Sequence, residues 1–298
     1  MRRVLPLSLL FLATVATLAI GADDPAAKIP VLIIDGQNNH NWKATTPILK
    51  KYLEASGRFT VDVATTPPNG KKEEMAKFHP DLSKYQAVVS NYNGEAWPKA
   101  FNDDLDSRLK EGKLGLVIVH AANNPFEGWS EFNQMIGMGW RGNPKFGKRL
   151  KYEEAGPVIV PAGQDQGSGH RYVGPFTVTV RDAKHPVTMG MPGEWLHARD
   201  ELYDNMRGPI ENVSVLATAY SDKAKGGTGA HEPMIWTVKY GKGRVFHTPM
   251  GHDVNAMRCI GFLTTLQRGT EWAATGSVTI PVPSDFPGAD KPSVVPEK

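Results

Sequence analysis

Val31-Leu32-Ile33-Ile34-Asp35-Gly36 is a continuous apolar run stopped by an aspartate and a glycine. A strand wet on one side would show a polar residue at every second position. A run without that alternation suits a parallel strand buried on both faces. Working outward, Pro47 to Ser56 has helical spacing and stops at Gly57, and Phe59-Thr60-Val61-Asp62-Val63-Ala64 reads as a second strand. Tyr85 to Ser90 is a third strand and Leu114 to Val119 a fourth. Between them, Pro98 to Glu111 places Phe101, Leu105 and Leu109 four apart and ends at Gly112, as an amphipathic helix with a glycine stop does. Strand, helix and strand at these intervals predict an α/β fold. Its core is a doubly wound, mostly parallel sheet with helices on both faces and right-handed crossovers.

The middle of the chain is looser. Residues 138–175 are rich in Gly, Pro and charge and read as a long excursion over one face, a feature more often functional than idle. Strands return at 176–180 and 213–218. Met234 to Val238, the turn Gly241-Lys242-Gly243 and Arg244 to His247 then form a hairpin signal. A closing helix spans about 255–273. These elements make one α/β domain over 28–274, and the Pro- and Ser-rich residues 275–298 read as an extended or disordered tail.

At the other end, Arg2-Arg3, the apolar stretch Leu5 to Ile20 and the small residues Ala19 and Gly21 read as a cleavable signal peptide over residues 1–22. A secreted or periplasmic protein is expected, with no transmembrane segment after cleavage. The 298 residues are 40% apolar and 22% charged, with a formal net charge of +3. No basic run beyond a solvated face occurs, so no nucleic-acid partner is inferred. Cys259 is the single cysteine, which excludes an intrachain disulfide. It lies in an apolar helical stretch without a local base, as a buried structural thiol does.

In open parallel sheets, ligands bind beyond the carboxyl ends of the strands. The first strand is followed by Asp35-Gly36-Gln37-Asn38-Asn39-His40-Asn41-Trp42. The fourth is followed by His120-Ala121-Ala122-Asn123, and the late hairpin by His247-Thr248-Pro249-Met250-Gly251-His252. Histidines delivered from three strand ends point to a shared site. His170 and the segment His197 to Tyr203 are placed at the same mouth. Asp200-Glu201 alone would read as a helix start or surface charge, but Trp195 and Tyr203 beside it argue against full exposure. His120 and His252 are therefore the expected base or ligand residues, with Asp200 or Glu201 as carboxylate partner. Candidate substrate contacts are His40, Trp42, Asn123, Trp129, His170 and Tyr203. Aromatic faces stack on the C–H faces of sugar rings while amides, carboxylates and imidazoles bind hydroxyls, so a small carbohydrate is the expected ligand. The same histidines, His40, His120, His170 and His252, are candidate ligands of a divalent metal such as zinc. No His-x-His or His-Glu-x-x-His pattern occurs, so such ligands must come from distant loops.

Asn39-His40-Asn41-Trp42, Val117 to Ala122, Trp129 to Gly137, His185-Pro186, Asp200 to Tyr203 and Tyr240 to Phe246 with Gly251-His252 occur in an order and spacing that resemble the ThuA-like (trehalose utilisation) family. The resemblance covers roughly residues 30–274. It implies a flavodoxin-type fold similar to class I glutamine amidotransferases and an association with disaccharide or keto-sugar utilisation. Amidotransferase chemistry does not carry over, because the turn that would hold its cysteine reads His120-Ala121-Ala122. After Gly137 the sequence departs from shorter relatives, and His170 is the candidate replacement for a histidine they carry there. Two readings follow: an exported sugar enzyme using acid–base, metal-assisted or metal-free chemistry, and a non-catalytic carbohydrate-binding protein of the envelope.

Overall fold

The computed structural model describes residues 28–296; the expected signal peptide at 1–22 lies outside the described residues. In chain order the elements are β1 (Ile29–Asp35), α1 (Trp42–Ala55), β2 (Phe59–Thr65), α2 (Lys72–Met75), β3 (Ala87–Ser90), α3 (Lys99–Glu111), β4 (Gly115–Val119), α4 (Ser130–Ile136), β5 (Lys148–Glu153), β6 (Gly156–Val160), β7 (Gly169–Val180), β8 (Glu194–Asp204), β9 (Arg207–Gly208), β10 (Val213–Ser221), β11 (Ala230–Tyr240), β12 (Gly243–Thr248), α5 (Val254–Met257) and α6 (Ile260–Thr275). The sheet runs β2-β1-β3-β4-β12-β11-β10-β7-β8. Its first five strands are parallel, and from β12 onward the neighbours are antiparallel.

The apolar runs have the burial their lack of alternation predicts. Val31 and Ile33 face α1 and α6 in one core; Leu32 and Ile34 face Phe101, Leu105 and Leu109 of α3 in the other. Helices therefore cover both faces of the parallel half, as a doubly wound sheet requires. Each large side chain buried this way is worth roughly 1.5–3 kcal/mol. The β11–β12 hairpin closes on Gly241-Lys242 with Tyr240 opposite Gly243. Its second strand then lies parallel beside β4, register Phe246 to Val117. That insertion brings the residues after His247 next to those after Val119.

Four regions differ from the sequence reading, and the first is α1, which starts at Trp42 and contains Pro47 instead of beginning there. The excursion at 138–175 carries its own hairpin, β5–β6, because Lys148-Arg149-Leu150-Lys151-Tyr152-Glu153 hides a strand under charge. Buried Arg149, which bonds Asp165 and Glu232, supplies that charge with partners. Residues 194–204, unassigned from sequence, form the long strand β8. The closing helix is broken in two, with extended Cys259 capping α6 and its thiol fully buried. After α6, residues 276–296 contain no helix or ladder strand. They run back along the domain, where Val278, Ile280, Phe286 and Val295 pack on the core and Cys259 bridges Val294. Among the described residues no helix is long and apolar enough to cross a membrane.

Candidate functional site

The parallel strands deliver their C-terminal loops to one edge of the sheet. His40 comes from the loop after β1, His120 from the step after β4, His252 from the loop after β12, and Glu201 from mid-β8. One ligand atom from each of these four residues lies within 4.8 Å of every other. The imidazole ring centres are 4.7 Å (His40 to His120), 4.6 Å (His40 to His252) and 5.3 Å (His120 to His252) apart, all edge-to-face. Glu201 Oε2 is 3.2 Å from His252 Nδ1 and 3.5 Å from His120 Nε2.

Local structure explains each placement. His120 occupies the sharp turn out of β4 with φ +49°, a left-handed conformation that costs a non-glycine residue of order 1 kcal/mol. Its Nδ1 donates to the carbonyl of Pro249 at 2.7 Å, which aims Nε2 at the group. The buried hydroxyl of Tyr203 is hydrogen-bonded to that Nε2 at 3.1 Å. Burial raises the Tyr203 pKa, and the Glu201 and Asp200 charges add to it, so the phenol stays neutral. Buried Arg141 donates to the carbonyls of Asn123 and Asn124 at 2.9 Å, which fixes the turn after His120 from outside.

His252 is held through its backbone. Asp200 is fully buried and accepts from the N–H groups of Gly251 (2.6 Å) and His252 (3.0 Å), and from His197 Nε2 (2.8 Å). His197 and Asp200 are three apart in one strand and would ordinarily face opposite ways. A register shift in the β7–β8 pairing, between Gly174–Asp200 and Phe176–His197, brings them together.

The electrostatics follow from this crowding. Burial pushes the Glu201 carboxyl up, but hydrogen bonding and charge from His120 and His252 outweigh it and leave the group well below its ordinary value. Glu201 raises His252, against burial. Burial, reinforced by His120 and His252, brings His40 down to about 4, so its imidazole is neutral at pH 7. Three imidazoles and one carboxylate are a donor set for a borderline divalent ion. His252 Nδ1 is buried yet makes no aligned hydrogen bond, as expected of an atom shaped for a ligand rather than for the fold. The group is close enough to hold a metal ion.

Of the other sequence candidates, His170 stands at the rim, its Nε2 3.7 Å from the second oxygen of Glu201 and its ring 5.6 Å from Trp140. It is outside the four-residue group. Asp200 does not face that group; it supports the backbone beneath it. Asn123 is fully buried and donates to His247 Nε2 at 3.0 Å. His247 itself is a core residue stacked on Trp236, its pKa driven far down by burial. Trp129 stacks on Phe132 and meets Phe126 edge-on. Trp42 lines a neighbouring cleft with Asn39 and Asn93. The roles of His197 and the Pro249 carbonyl were not legible in the sequence. A base beside carboxylates at 197–201 was the available signal for the first; a backbone oxygen leaves none.

The profile of the trehalose utilisation (ThuA) family matches residues 30–273. A ThuA-like protein from Parabacteroides merdae is 43% identical, with a TM-score of 0.86 over 90% of this chain and 98% of that one. A ThuA-like protein from Bacteroides uniformis is 19% identical, with a TM-score of 0.60 over 87% and 96%, and supports the fold. No curated protein matches the chain. The family profile extends from β1 into α6 and so includes all four residues of the His–Glu group; the chain belongs to the ThuA (trehalose utilisation) family.

Proposed function

We propose that this chain is an exported enzyme of sugar utilisation that acts on a disaccharide or keto-sugar by acid–base chemistry, with a divalent ion such as zinc held by His40, His120, His252 and Glu201. The observation that carries this reading is the convergence of three imidazoles and a carboxylate from four separate chain segments within 4.8 Å. A bound ion there would acidify a coordinated water and polarise a substrate oxygen. The chain's own residues supply the rest. Glu201 orients His252 at Nδ1, the nitrogen by which it would hold the ion, and its second oxygen, 3.7 Å from His170 Nε2, turns that rim imidazole toward the substrate as the group placed to give and take a proton. The Pro249 carbonyl holds His120 through Nδ1 so that Nε2 faces the group, and His170 with Trp140 forms a rim able to receive sugar hydroxyls.

Metal analysis of the purified protein, paired with a screen of keto-sugars and disaccharides, tests the reading. About one zinc or similar ion per chain is expected, with turnover of at least one sugar. His120→Ala and His252→Ala should each abolish that turnover with circular dichroism unchanged. Wild-type activity in both variants would sink it.

A further inference from the structure

Beside the His–Glu group lies a second concavity that its chemistry does not use. It is a cleft of about 650 Å³ formed by the loops after β1, β2 and β3. This size falls within the range typical of small-molecule sites, roughly 300–1,000 Å³. The walls are tied together internally. Gln37 Nε2 donates to the Pro67 carbonyl at 2.8 Å and Gln37 Oε1 accepts from Glu95 N at 2.9 Å. Asn38 Nδ2 donates to the Asn91 carbonyl at 3.2 Å. Gly36, at φ +113°, sits so close to Thr66 that a Cβ there would come within 2.5 Å of its hydroxyl. Gln37 and Asn38 are thus consumed in holding three loops together.

What the cleft offers a ligand is a different set, in which Asn93 Nδ2 donates to Asn39 Oδ1 and holds the two amides side by side with their remaining donors and acceptor toward the cleft. Trp42 is half-buried, Asn39 and Asn69 are exposed, and Asn93 is partly so. Lys43 Nζ lies 5.6 Å from the Trp42 ring centre and is the one charged residue of the lining. No carboxylate lines the cleft. Amides present donors and acceptors together and the indole presents a flat apolar face. That combination suits an uncharged ring with hydroxyls on its edge and C–H bonds on its face. The cleft also abuts the His–Glu group: Asn39 belongs to its lining, and Asn39 Nδ2 is 3.3 Å from His40 Nε2.

We infer that this cleft is a second-unit subsite: it binds the neighbouring sugar ring of a glycoside whose first ring occupies the His–Glu group. The inference rests on the functional reading above and names its substrate as a disaccharide or larger glycoside rather than a free monosaccharide. Trp42 stacks on the second ring, Asn39 and Asn93 bind its hydroxyls, and the Asn39–His40 step sets the distance between the units.

Calorimetric titration of the full chain with maltose, trehalose, cellobiose, sucrose and glucose tests it, using His120→Ala as parent so that turnover does not intervene. At least one disaccharide should bind the parent. Adding Trp42→Ala or Asn93→Ala should weaken that disaccharide at least about tenfold and change glucose less than about twofold, with Trp42→Phe recovering most of the affinity. Thermal melts of each variant guard against a folding defect, and Asn93→Ala stands in if Trp42→Ala is unstable. Equal losses for disaccharide and glucose, no loss, or no disaccharide binding to the parent would each overturn the subsite. If the disaccharide signature appears while wild type turns over no sugar, the subsite stands and the proposed enzyme falls.

Discussion

His197 Nε2 lies 2.8 Å from Asp200 Oδ2 with both side chains fully buried, and the same carboxylate receives the backbone N–H groups of Gly251 and His252. A buried ion pair beneath the site therefore sets where His252 stands. Removing one partner of such a pair typically costs about 3–5 kcal/mol, because the other charge is left uncompensated.

That pair gives the fold a pH signature. Burial drives the His197 imidazole down, but hydrogen bonds and charge from Asp200 and Cys259 outweigh it and bring it up to about 9. A histidine raised above its unfolded value near ~6.5 contributes stability that is fully present below ~6.5 and is lost as pH rises through the folded value. Urea unfolding at a series of pH values should show stability declining between ~6.5 and about 9. His197→Gln should flatten that decline. A flat wild-type profile would exclude a charged His197 in the folded state.

Tyr203 is hydrogen-bonded to His120 at Nε2, the one nitrogen that ring can offer an ion once Nδ1 is committed to the Pro249 carbonyl, so the phenol and a bound ion compete for it. Tyr203→Phe should therefore raise zinc affinity roughly 2–10-fold, since one hydrogen bond of about 0.5–1.5 kcal/mol no longer has to be broken when the ion binds. Competitive chelator titration measures this, and a variant indistinguishable from wild type refutes the competition.

The turn at His120 predicts an inverted substitution order. At φ +49° a side chain is strained, and glycine is not. His120→Gly should therefore be more stable than His120→Ala by about 1 kcal/mol, the reverse of their order in a helix. Both should be inactive. Denaturation midpoints with equal slopes decide it.

The segment after α6 should be structural. Buried Glu271 accepts from the backbone N–H groups of Thr279 (2.8 Å) and Ile280 (3.0 Å), and Leu196 N donates to the Gly288 carbonyl at 2.8 Å. Phe286 packs edge-on against Trp195, which in turn meets His197. A chain ending at Gly276 should lose at least about 3 kcal/mol of unfolding free energy, given the apolar side chains it would uncover. An unchanged melting temperature would show the strap to be dispensable.

The sequence by itself determined the parallel half of the sheet and the loops that carry the histidines. Runs such as Val31 to Ile34 and Leu116 to Val119 are local patterns whose burial on both faces needs no knowledge of distant partners. The spacing of Phe101, Leu105 and Leu109 likewise declares a helix. What only the tertiary structure decided is which side chains meet. Nothing local distinguishes His252, which reaches Glu201, from His247, five residues earlier, which is buried on Trp236. The insertion of β12 beside β4 sorts them, and that is a long-range pairing. Strand β8 was illegible for a related reason: Trp195 and Tyr203 argue against full exposure of Asp200 and Glu201, but the 251–252 backbone, His120 and His252, which give those carboxylates partners inside the fold, are distant in sequence. Charge is hidden in a fold only where its counter-charges converge, and convergence is a property of three dimensions rather than of order along the chain.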